Sequence, residues 1–467
     1  MPVPVPTHVL HRNLRVALPR AVKAEGVYIH DADGKAYLDA SGGAAVSCLG
    51  HGHPKVIEAI RRQLETMPYA HTAFFTNDAA EELANRLSEK APGGEWRVYF
   101  LSGGSEANEA ALKLARQLQV ERGQETRDHF ISRRQSYHGS TIGCMSISGR
   151  TPILRGRHPS PNPFAPMFMP VVRKIVPCYE YRWRRPHETQ EAYTERVAGA
   201  LEEAILDIGP ERVAAFIAET VVGATLGAAP PTPGYFRRIR EICDRYGVLM
   251  ILDEVMCGMG RCGTLFAFEQ DGVVPDIITL AKGLGGGYQP IGAMMVREDL
   301  IAEVEKSSGA FAHGHTYVGH ATACAAGAAV LRVFDEENLV QRSADMGEKL
   351  MARLMERFGD HPHIGDIRGR AMFRGLELVA DRETKQPFPA DWQLAARIKS
   401  KAMEHGLICY PMGGTADRFS GDHVLLAPPF IMEEHHLDEL VDKLGRAIDE
   451  ALADARRDAA RRGNAAP

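Results

Sequence analysis

Residues 276–290 read DIITLAKGLGGGYQP, an apolar run that ends at a lysine and is followed by glycines. The run DIITLA has the continuous apolar character of a strand buried in a parallel sheet. Lys282 therefore stands where a buried strand meets a loop with almost no side chains. A lysine at a strand end ordinarily reaches for water, so Lys282 indicates a functional site only if other residues converge on it.

Short apolar runs alternate with helical periodicity along the middle of the chain, which is the pattern of βαβ units around a parallel sheet. The helix predicted within 103–119 carries its alanines and leucines on one face. The helix predicted at 233–247 starts near Pro233 and stops at Gly247. A further helix is predicted at 54–67, and strands are predicted at 96–102, 213–219, 247–255 and 276–281.

The chain has 467 residues, which is too many for one simple core. We predict an α/β protein with a large domain at 71–335 and a smaller α+β domain formed by 1–70 and 336–467. The segment 151–190 is rich in proline and arginine and is predicted to be a long surface loop. Its RWRR run (182–185) is expected to face solvent.

The composition excludes several classes of function. The net charge of −5 gives no electrostatic reason to expect a nucleic acid partner. No apolar run approaches the roughly 20 residues that span a bilayer, and the N-terminal residues lack a signal-peptide pattern, so a cytoplasmic protein without a membrane partner is expected. The eight cysteines are expected to be reduced thiols. Neither Cys257 and Cys262 nor His313 and His315 have the companions of a metal site.

Ligands of an open parallel sheet bind beyond the carboxyl ends of its strands. The turn at 103–105, Asp253 and Lys282 all follow strands in the same sense, so we expect them to face one crevice. The turn combines two glycines, Ser105 and a helix N-terminus, which are the parts of a phosphate-binding cup. The same residues also suit an ordinary capped helix start. No G-x-x-x-x-G-K-[ST] motif occurs, which excludes a P-loop.

Asp253 ends an apolar strand, and a buried carboxylate requires a partner. A metal ion, a helix terminus and a protonated ring nitrogen are all suitable partners. The ring nitrogen agrees best with Lys282, because an amine with a lowered pKa can form a Schiff base. A phosphate cup, a carboxylate for a ring nitrogen and a reactive lysine together describe a site for pyridoxal 5′-phosphate.

The sequence also resembles the class III pyridoxal-phosphate-dependent aminotransferases, the ω-aminotransferases of fold type I. The resemblance rests first on residues 251–296, ILDEVMCGMGRCGTLFAFEQDGVVPDIITLAKGLGGGYQPIGAMMV. It continues through SGGSEANEAALKLAR, SYHGST, AETVVGATLGAAPPTPGYF, HTYVGH and GDHVLLAPPF, in family order and over nearly the whole chain. DEVMCGMGR looks closer to the amine:pyruvate and β-alanine:pyruvate branch than to the ornithine or 4-aminobutyrate branch.

The resemblance implies a role for each matched residue at the cofactor. Lys282 would bind the cofactor covalently and then act as the general acid–base at the substrate Cα. Asp253 would pair with the pyridine nitrogen, and Gly104 and Ser105 would bind the phosphate. The large domain would carry this site, and the smaller domain would come from both termini.

Further contacts are implied around the ring. Tyr137 would stack on one face and Val255 on the other, with Glu219 near the ring and the substrate. Thr316 would reach the phosphate of a neighbouring subunit, which implies a homodimer with shared active sites. Plain core packing is the alternative for Tyr137 and Val255, a helix N-cap is the alternative for Thr316, and His138 is expected to be structural.

Two positions depart from the family pattern. Thr220 replaces the usual proline after the glutamate, and Met256 stands where many members carry glutamine.

Two further positions bear on the substrate. Arg418 matches an arginine that binds the acceptor's carboxylate in the amine:pyruvate branch. Ala45 lies in the small-residue stretch 44–46, at which some relatives carry a large aromatic residue, so a roomier substrate pocket is expected.

The leading hypothesis is a transaminase that moves an amino group from an ω-amino acid or amine to a keto acid such as pyruvate by a ping-pong mechanism. An aminomutase, a racemase or a decarboxylating enzyme on the same scaffold is the alternative. A non-catalytic binding protein is a third hypothesis, and the combination of Lys282, Asp253 and the phosphate cup argues against it.

Overall fold

The structure is a computed structural model that describes residues 7–149, 162–417 and 419–463. Its strands are, in chain order, β1 (Ala21–Glu25), β2 (Tyr28–Asp31), β3 (Ala36–Asp39), β4 (Trp96–Leu101), β5 (His129–Arg133), β6 (Val172–Ile175), β7 (Val213–Glu219), β8 (Leu249–Asp253), β9 (Ile277–Leu280), β10 (Gly292–Arg297), β11 (Ile364–Arg370), β12 (Phe373–Leu378), β13 (Leu407–Ile408), β14 (Tyr410–Gly413) and β15 (Asp422–Leu426).

The helices surround these strands and close the fold. In chain order they are α1 (Gly42–Ala45), α2 (Pro54–Thr66), α3 (Asp78–Lys90), α4 (Gly104–Glu121), α5 (Ile142–Ile147), α6 (Glu180–Trp183), α7 (Gln190–Ile208), α8 (Tyr235–Tyr246), α9 (Glu298–Lys306), α10 (Ala321–Glu336), α11 (Leu339–Phe358), α12 (Leu394–Glu404) and α13 (Glu434–Arg461). Short 3₁₀ turns occur at Ala165–Met167, Pro210–Arg212, Ala267–Asp271, Lys282–Leu284 and Ala390–Trp392.

The central sheet has seven strands in the order β4-β10-β9-β8-β7-β5-β6. Only β10 among these runs antiparallel to its neighbours β4 and β9. Every residue of β7, β8 and β9 is buried, as continuous apolar runs in a helix-covered parallel sheet require. The predicted α/β fold class is confirmed, and the four predicted strands agree with the observed strands to within two residues at each end.

Two smaller sheets bring the ends of the chain together. The sheet β1-β2-β3-β13 contains a parallel pair in which Leu407 of β13 lies opposite Leu38 of β3. The second sheet, β11-β12-β15-β14, is antiparallel throughout. The first sheet therefore joins the N-terminal and C-terminal parts of the chain, as the prediction of one smaller domain built from both requires.

The segment 151–190 departs in part from the predicted surface loop. Residues 150–161 lie outside the described part of the chain, but Val172–Ile175 forms the edge strand β6 beside β5. Arg182, expected in solvent, has a side chain only 10% exposed, and its Nε lies 2.5 Å from Oε1 of the fully buried Glu377. The prediction was wrong there because sequence composition does not reveal a distant buried carboxylate.

No helix in the described ranges is both long and apolar enough to cross a membrane. All eight cysteines are free and buried.

Candidate active site

The register of the central sheet places three polar residues side by side where its parallel strands end. Glu219 of β7 lies opposite Asp253 of β8, and Asp253 lies opposite Thr279 of β9. Lys282 begins the 3₁₀ turn just beyond β9. Glu219, Asp253 and Lys282 line one cavity of about 1410 Å³, together with the turn at 103–105. The crevice expected at the carboxyl ends of the strands is therefore present.

Asp253 is almost fully buried, at 3% exposure, and both of its carboxylate oxygens accept hydrogen bonds. Oδ2 lies 2.8 Å from Nδ2 of Asn108 and 2.7 Å from Nδ1 of His138. Oδ1 accepts a bond from the backbone N–H of Val255 at 3.0 Å. Hydrogen bonds of this kind favour the charged carboxylate. Asp253 is thus held in one orientation at the edge of the cavity.

Asn108 and His138 are site residues that the sequence reasoning missed or undervalued. Nδ2 of Asn108 also donates to the carbonyl of His138 at 2.8 Å, and its Oδ1 accepts a bond from the hydroxyl of Thr279 at 2.7 Å. Asn108 is four residues beyond Gly104, so it lies one helical turn into α4 on the side that meets the strand ends. That spacing is the signal that could have found it.

Lys282 is half-buried and has a left-handed backbone, with φ of +48°. This conformation is rare outside glycine and persists only where the surroundings impose it. Burial lowers the pKa of Lys282 from its ordinary value, while the carboxylates of Asp253 and Glu219 act in the opposite direction. An amine with a lowered pKa is a better nucleophile near neutral pH, because more of it is unprotonated.

The turn at 103–105 leads into helix α4, which starts at Gly104. A Cβ on Gly104 would lie 2.7 Å from Cγ1 of Val255, so only glycine lets this turn pack against the loop that follows β8. Oγ of Ser105 accepts a hydrogen bond from the backbone N–H of Ser140 at 3.1 Å. The free N–H groups at the start of a long helix suit an anion such as phosphate.

Tyr137 and Val255 both line the cavity, on different loops. Tyr137 is 45% exposed, and its hydroxyl lies 3.0 Å from Oγ of Ser140. An aromatic ring with that exposure is not a core side chain. Val255 is half-buried between Gly104 and the cavity, so its position suits both packing and a ligand contact.

Glu219 is buried, and burial raises its pKa above the ordinary value. Its Oε1 accepts a bond from the N–H of Tyr137 at 3.1 Å, and its Oε2 accepts one from the N–H of Gly223 at 3.0 Å. Glu219 therefore ties two cavity-lining loops to the end of β7. Thr220, the departure from the family's proline, donates its hydroxyl hydrogen to the buried carboxylate of Glu254.

Other predicted positions lie in different surroundings. Ala45 is buried in an apolar cluster with Met256, whereas its neighbours Ala44 and Val46 line the cavity. Ala45 faces away because residues 42–45 form a left-handed turn, with φ between +54° and +72°. Thr316 is exposed and outside the cavity of its own chain, and its carbonyl accepts a bond from the hydroxyl of Tyr69. Arg418 lies outside the described residues.

Among the described residues, no three or more His, Cys, Asp or Glu side chains gather as metal ligands. The residues that do gather are an amine, a buried carboxylate and a glycine turn at a helix start. This set is suited to an aromatic phosphate that carries an aldehyde and a basic ring nitrogen.

Comparison with known proteins agrees with this geometry. A family model described as aminotransferase class-III matches residues 10–448. An uncharacterized aminotransferase of Schizosaccharomyces pombe is 45% identical over 435 residues, which cover 93% of each chain. Gamma aminobutyrate transaminase 2 of Solanum lycopersicum is 36% identical over 91% of this chain and 90% of its own. The omega transaminase of Pseudomonas jessenii, solved in complex with PMP, has a TM-score of 0.88 at 34% identity, over 96% of this chain and 97% of its own.

Proposed function

The chain belongs to the class III aminotransferase family, and from that premise we propose that it is a pyridoxal 5′-phosphate-dependent ω-transaminase. It takes an amino group from an ω-amino acid or amine and passes it to a keto acid such as pyruvate by a ping-pong mechanism. The observation that carries this proposal is the meeting of Lys282, Asp253 and the Gly103–Ser105 turn in one cavity.

The residues of the cavity fit the cofactor that class III aminotransferases use. Asp253, held in place by hydrogen bonds from Asn108 and His138, is suited to pair with a protonated ring nitrogen. Gly104 and Ser105 offer N–H groups and a hydroxyl for a phosphate. The chemistry that pyridoxal 5′-phosphate supplies when bound is an aldehyde that combines with amines and a ring that withdraws electrons from the substrate Cα.

Lys282 and Asp253 have different roles in the proposed reaction. The Lys282 amine would hold the cofactor covalently until a substrate amine displaces it, and Lys282 would then act as general base and general acid for the proton at the substrate Cα. Asp253 would hold a proton at the ring nitrogen. Tyr137 and Val255, which line the cavity from different loops, would contact the two faces of the cofactor ring and so help to orient it toward Lys282.

The walls of the cavity support a roomy substrate site. Ala44 and Val46 are small side chains that line it. Met256, which packs against Gly223, lines it as well. We propose that Arg418 binds the carboxylate of the keto acid, as its place before GDH suggests. Because a curated relative is named a gamma aminobutyrate transaminase, 4-aminobutyrate is one of the ω-amino acids to be tested as a donor.

A homodimer with shared active sites is the assembly that we propose. Phe74, Phe75 and Tyr317 expose 79%, 67% and 59% of their area on a single chain, which is unusual for large apolar side chains. Thr316 lies beside Tyr317 on the same exposed segment, so a second copy would bring it near the partner's cavity. We also propose a cytoplasmic location, supported by the eight free cysteines.

A half-reaction screen tests the proposal. The cofactor-loaded protein is mixed with single amines and ω-amino acids, and the absorbance of the covalently bound cofactor is followed. A productive donor bleaches that absorbance, and pyruvate or 2-oxoglutarate restores it with release of alanine or glutamate. If no donor in a broad panel bleaches the cofactor, or if no keto acid restores it, the proposal is wrong.

A further inference from the structure

Gln135 lies behind the wall of the cavity, where three of the loops that line it meet. Its side chain is buried, and its Nε2 donates a hydrogen bond to the carbonyl of Thr415 at 2.8 Å, across 280 residues of sequence. Its own carbonyl accepts a hydrogen bond from the hydroxyl of Thr225, 90 residues away. One residue therefore joins segments from the middle and the end of the chain.

Each of the three segments contributes to the cavity lining. The loop that contains Gln135 contributes Tyr137 and Gly139, and the loop after β7 contributes Ala224 and Thr225. The hairpin loop between β14 and β15, which contains Thr415, contributes further lining residues, among them Gly414 and Phe419. Thr225 and Thr415 are themselves buried, at 2% and 0% exposure, so these contacts are shielded from water.

The backbone of Gln135 is held in a rare conformation. Its φ is +58°, in the left-handed region that residues with a Cβ seldom adopt. The turn is fixed by the Ser136 hydroxyl, which donates to the carbonyl of Arg133 at 2.7 Å, and by the N–H of Gly149, which donates to the carbonyl of Ser136 at 3.1 Å. This strain persists because the contacts around it impose one conformation.

The hairpin loop has internal bonds that fix its shape. The N–H of Gly414 donates to the carbonyl of Gly421 at 2.7 Å, and the N–H of Ala416 donates to the carbonyl of Ser420 at 2.9 Å. These bonds do not set the distance between the loop and the Tyr137 side of the cavity. The hydrogen bond from Gln135 to Thr415 sets this distance, because it joins the loop that contains Tyr137 to the hairpin loop.

We propose that Gln135 is a positioning residue that sets the spacing of the cavity walls and so determines how well substrates fit. This inference rests on the proposed function, because the walls matter only if the cavity binds a substrate. Gln135 does not act on the cofactor, which Lys282, Asp253 and Gly104 hold from the strand ends. Loss of its amide donor therefore raises KM for donor and acceptor while the cofactor stays bound.

The test compares Gln135→Glu with Gln119→Glu. Gln119 is a second buried amide, whose Nε2 donates to the carbonyls of Ala214 and Gly247 at 3.2 and 3.1 Å, in the core of the large domain and away from the cavity. Both substitutions replace a donor by a carboxylate that faces a carbonyl, so both should lower Tm. Only Gln135→Glu is expected to raise KM, by about tenfold, with kcat changed less than about threefold and the cofactor absorbance retained.

If Gln135→Glu does not fold, Gln135→Met is tested in its place. Methionine has a similar volume and removes the amide donor without adding a charge. An unchanged KM in the folded Gln135 variant, or an equal rise in the Gln119 control, overturns the inference. KM is measured for whichever reaction the wild type performs. If that reaction is a racemisation or an amino-group shift, the transaminase proposal fails while the inference about Gln135 is still decided.

Discussion

The floor and the walls of the cavity are built in different ways. The floor consists of Glu219, Asp253 and Lys282, which main-chain register places at the ends of adjacent parallel strands. The walls include the loops that contain Gln135, Thr225 and Thr415, which side-chain hydrogen bonds join across long stretches of sequence. Sheet topology thus places the residues that we propose for the chemistry, and contacts between loops hold the walls that we propose for substrate fit.

Removal of Lys282 from the floor should abolish nearly all of the transaminase activity. Lys282→Ala leaves no amine to hold the cofactor or to carry the proton at the substrate Cα, so we expect steady-state turnover to fall by at least about 10⁴-fold. The measurement is initial-rate transamination with the best donor, against the exposed Lys306→Ala as control. Multiple turnover by Lys282→Ala at more than a few per cent of the wild-type rate would remove Lys282 from the mechanism.

Replacement of Asp253 should reduce the activity nearly as much. Asparagine at 253 has no negative charge to keep a ring nitrogen protonated, so we expect kcat/KM to fall by about 10²- to 10³-fold. Asp276 is a matched control, because it is also a buried carboxylate but pairs with Arg240 before β9 begins, at the opposite edge of the sheet. Asp276→Asn should lower Tm without this loss of activity. Equal activity losses in the two variants would contradict the role of Asp253.

Residues that bind only the substrate should affect KM rather than kcat. If Arg418 binds the keto-acid carboxylate, Arg418→Ala raises KM for pyruvate by about 10- to 100-fold, since it removes a charge-assisted bidentate bond. KM for an uncharged amine donor stays within about twofold of the wild type in the same assay. An unchanged KM for every keto acid excludes Arg418 from the acceptor site.

The glycine turn at 103–105 lines the same cavity as the floor residues, and a change in it should affect cofactor affinity. Gly104→Ala introduces a Cβ 2.7 Å from Cγ1 of Val255, so the turn must shift, and we expect the Kd for pyridoxal 5′-phosphate to rise about tenfold. The control is Gly199→Ala in α7, where an added Cβ meets no atom within 4 Å. The double variant Gly104→Ala/Val255→Ala should recover part of the affinity. Unchanged affinity in Gly104→Ala would show that the turn does not need glycine.

The smallest effect concerns a carboxylate in the wall. Burial raises the pKa of Asp422 to about 6 from an ordinary value of 3.8, and its Oδ1 accepts a bond from the N–H of Ala395. Between these two pH values the unfolded chain ionises at this residue and the folded chain does not. The free energy of unfolding of the wild type therefore falls as pH rises through this window.

Asp422→Asn keeps the acceptor for Ala395 but cannot ionise. It should be more stable than the wild type at pH 8 by about 1–3 kcal/mol, and the difference should shrink toward pH 4. Thermal unfolding at both pH values measures this, with the largely exposed Asp391→Asn as control. A difference that does not depend on pH would assign the effect to packing instead.

The difference between the floor and the walls also explains which features could be predicted from the sequence. The strands, the cup at Gly104 and the convergence of Asp253 with Lys282 follow from apolar runs and the rule that parallel strands end at one edge. Gln135 and Arg182 could not be predicted, because their partners Thr415 and Glu377 are about 200 or more residues away. Ala45 was expected in the pocket, but the left-handed turn at 42–45 presents Ala44 and Val46 instead.

The proposed reaction transfers an amino group between two molecules. Its most direct test is to incubate the cofactor-loaded enzyme with a ¹⁵N-labelled amine donor and unlabelled pyruvate, and to follow the label by mass spectrometry. We expect ¹⁵N-alanine and the corresponding carbonyl product in equal amounts. Label that stays in the donor's carbon skeleton, whether at a new carbon, at an inverted centre or after loss of CO₂, would contradict it.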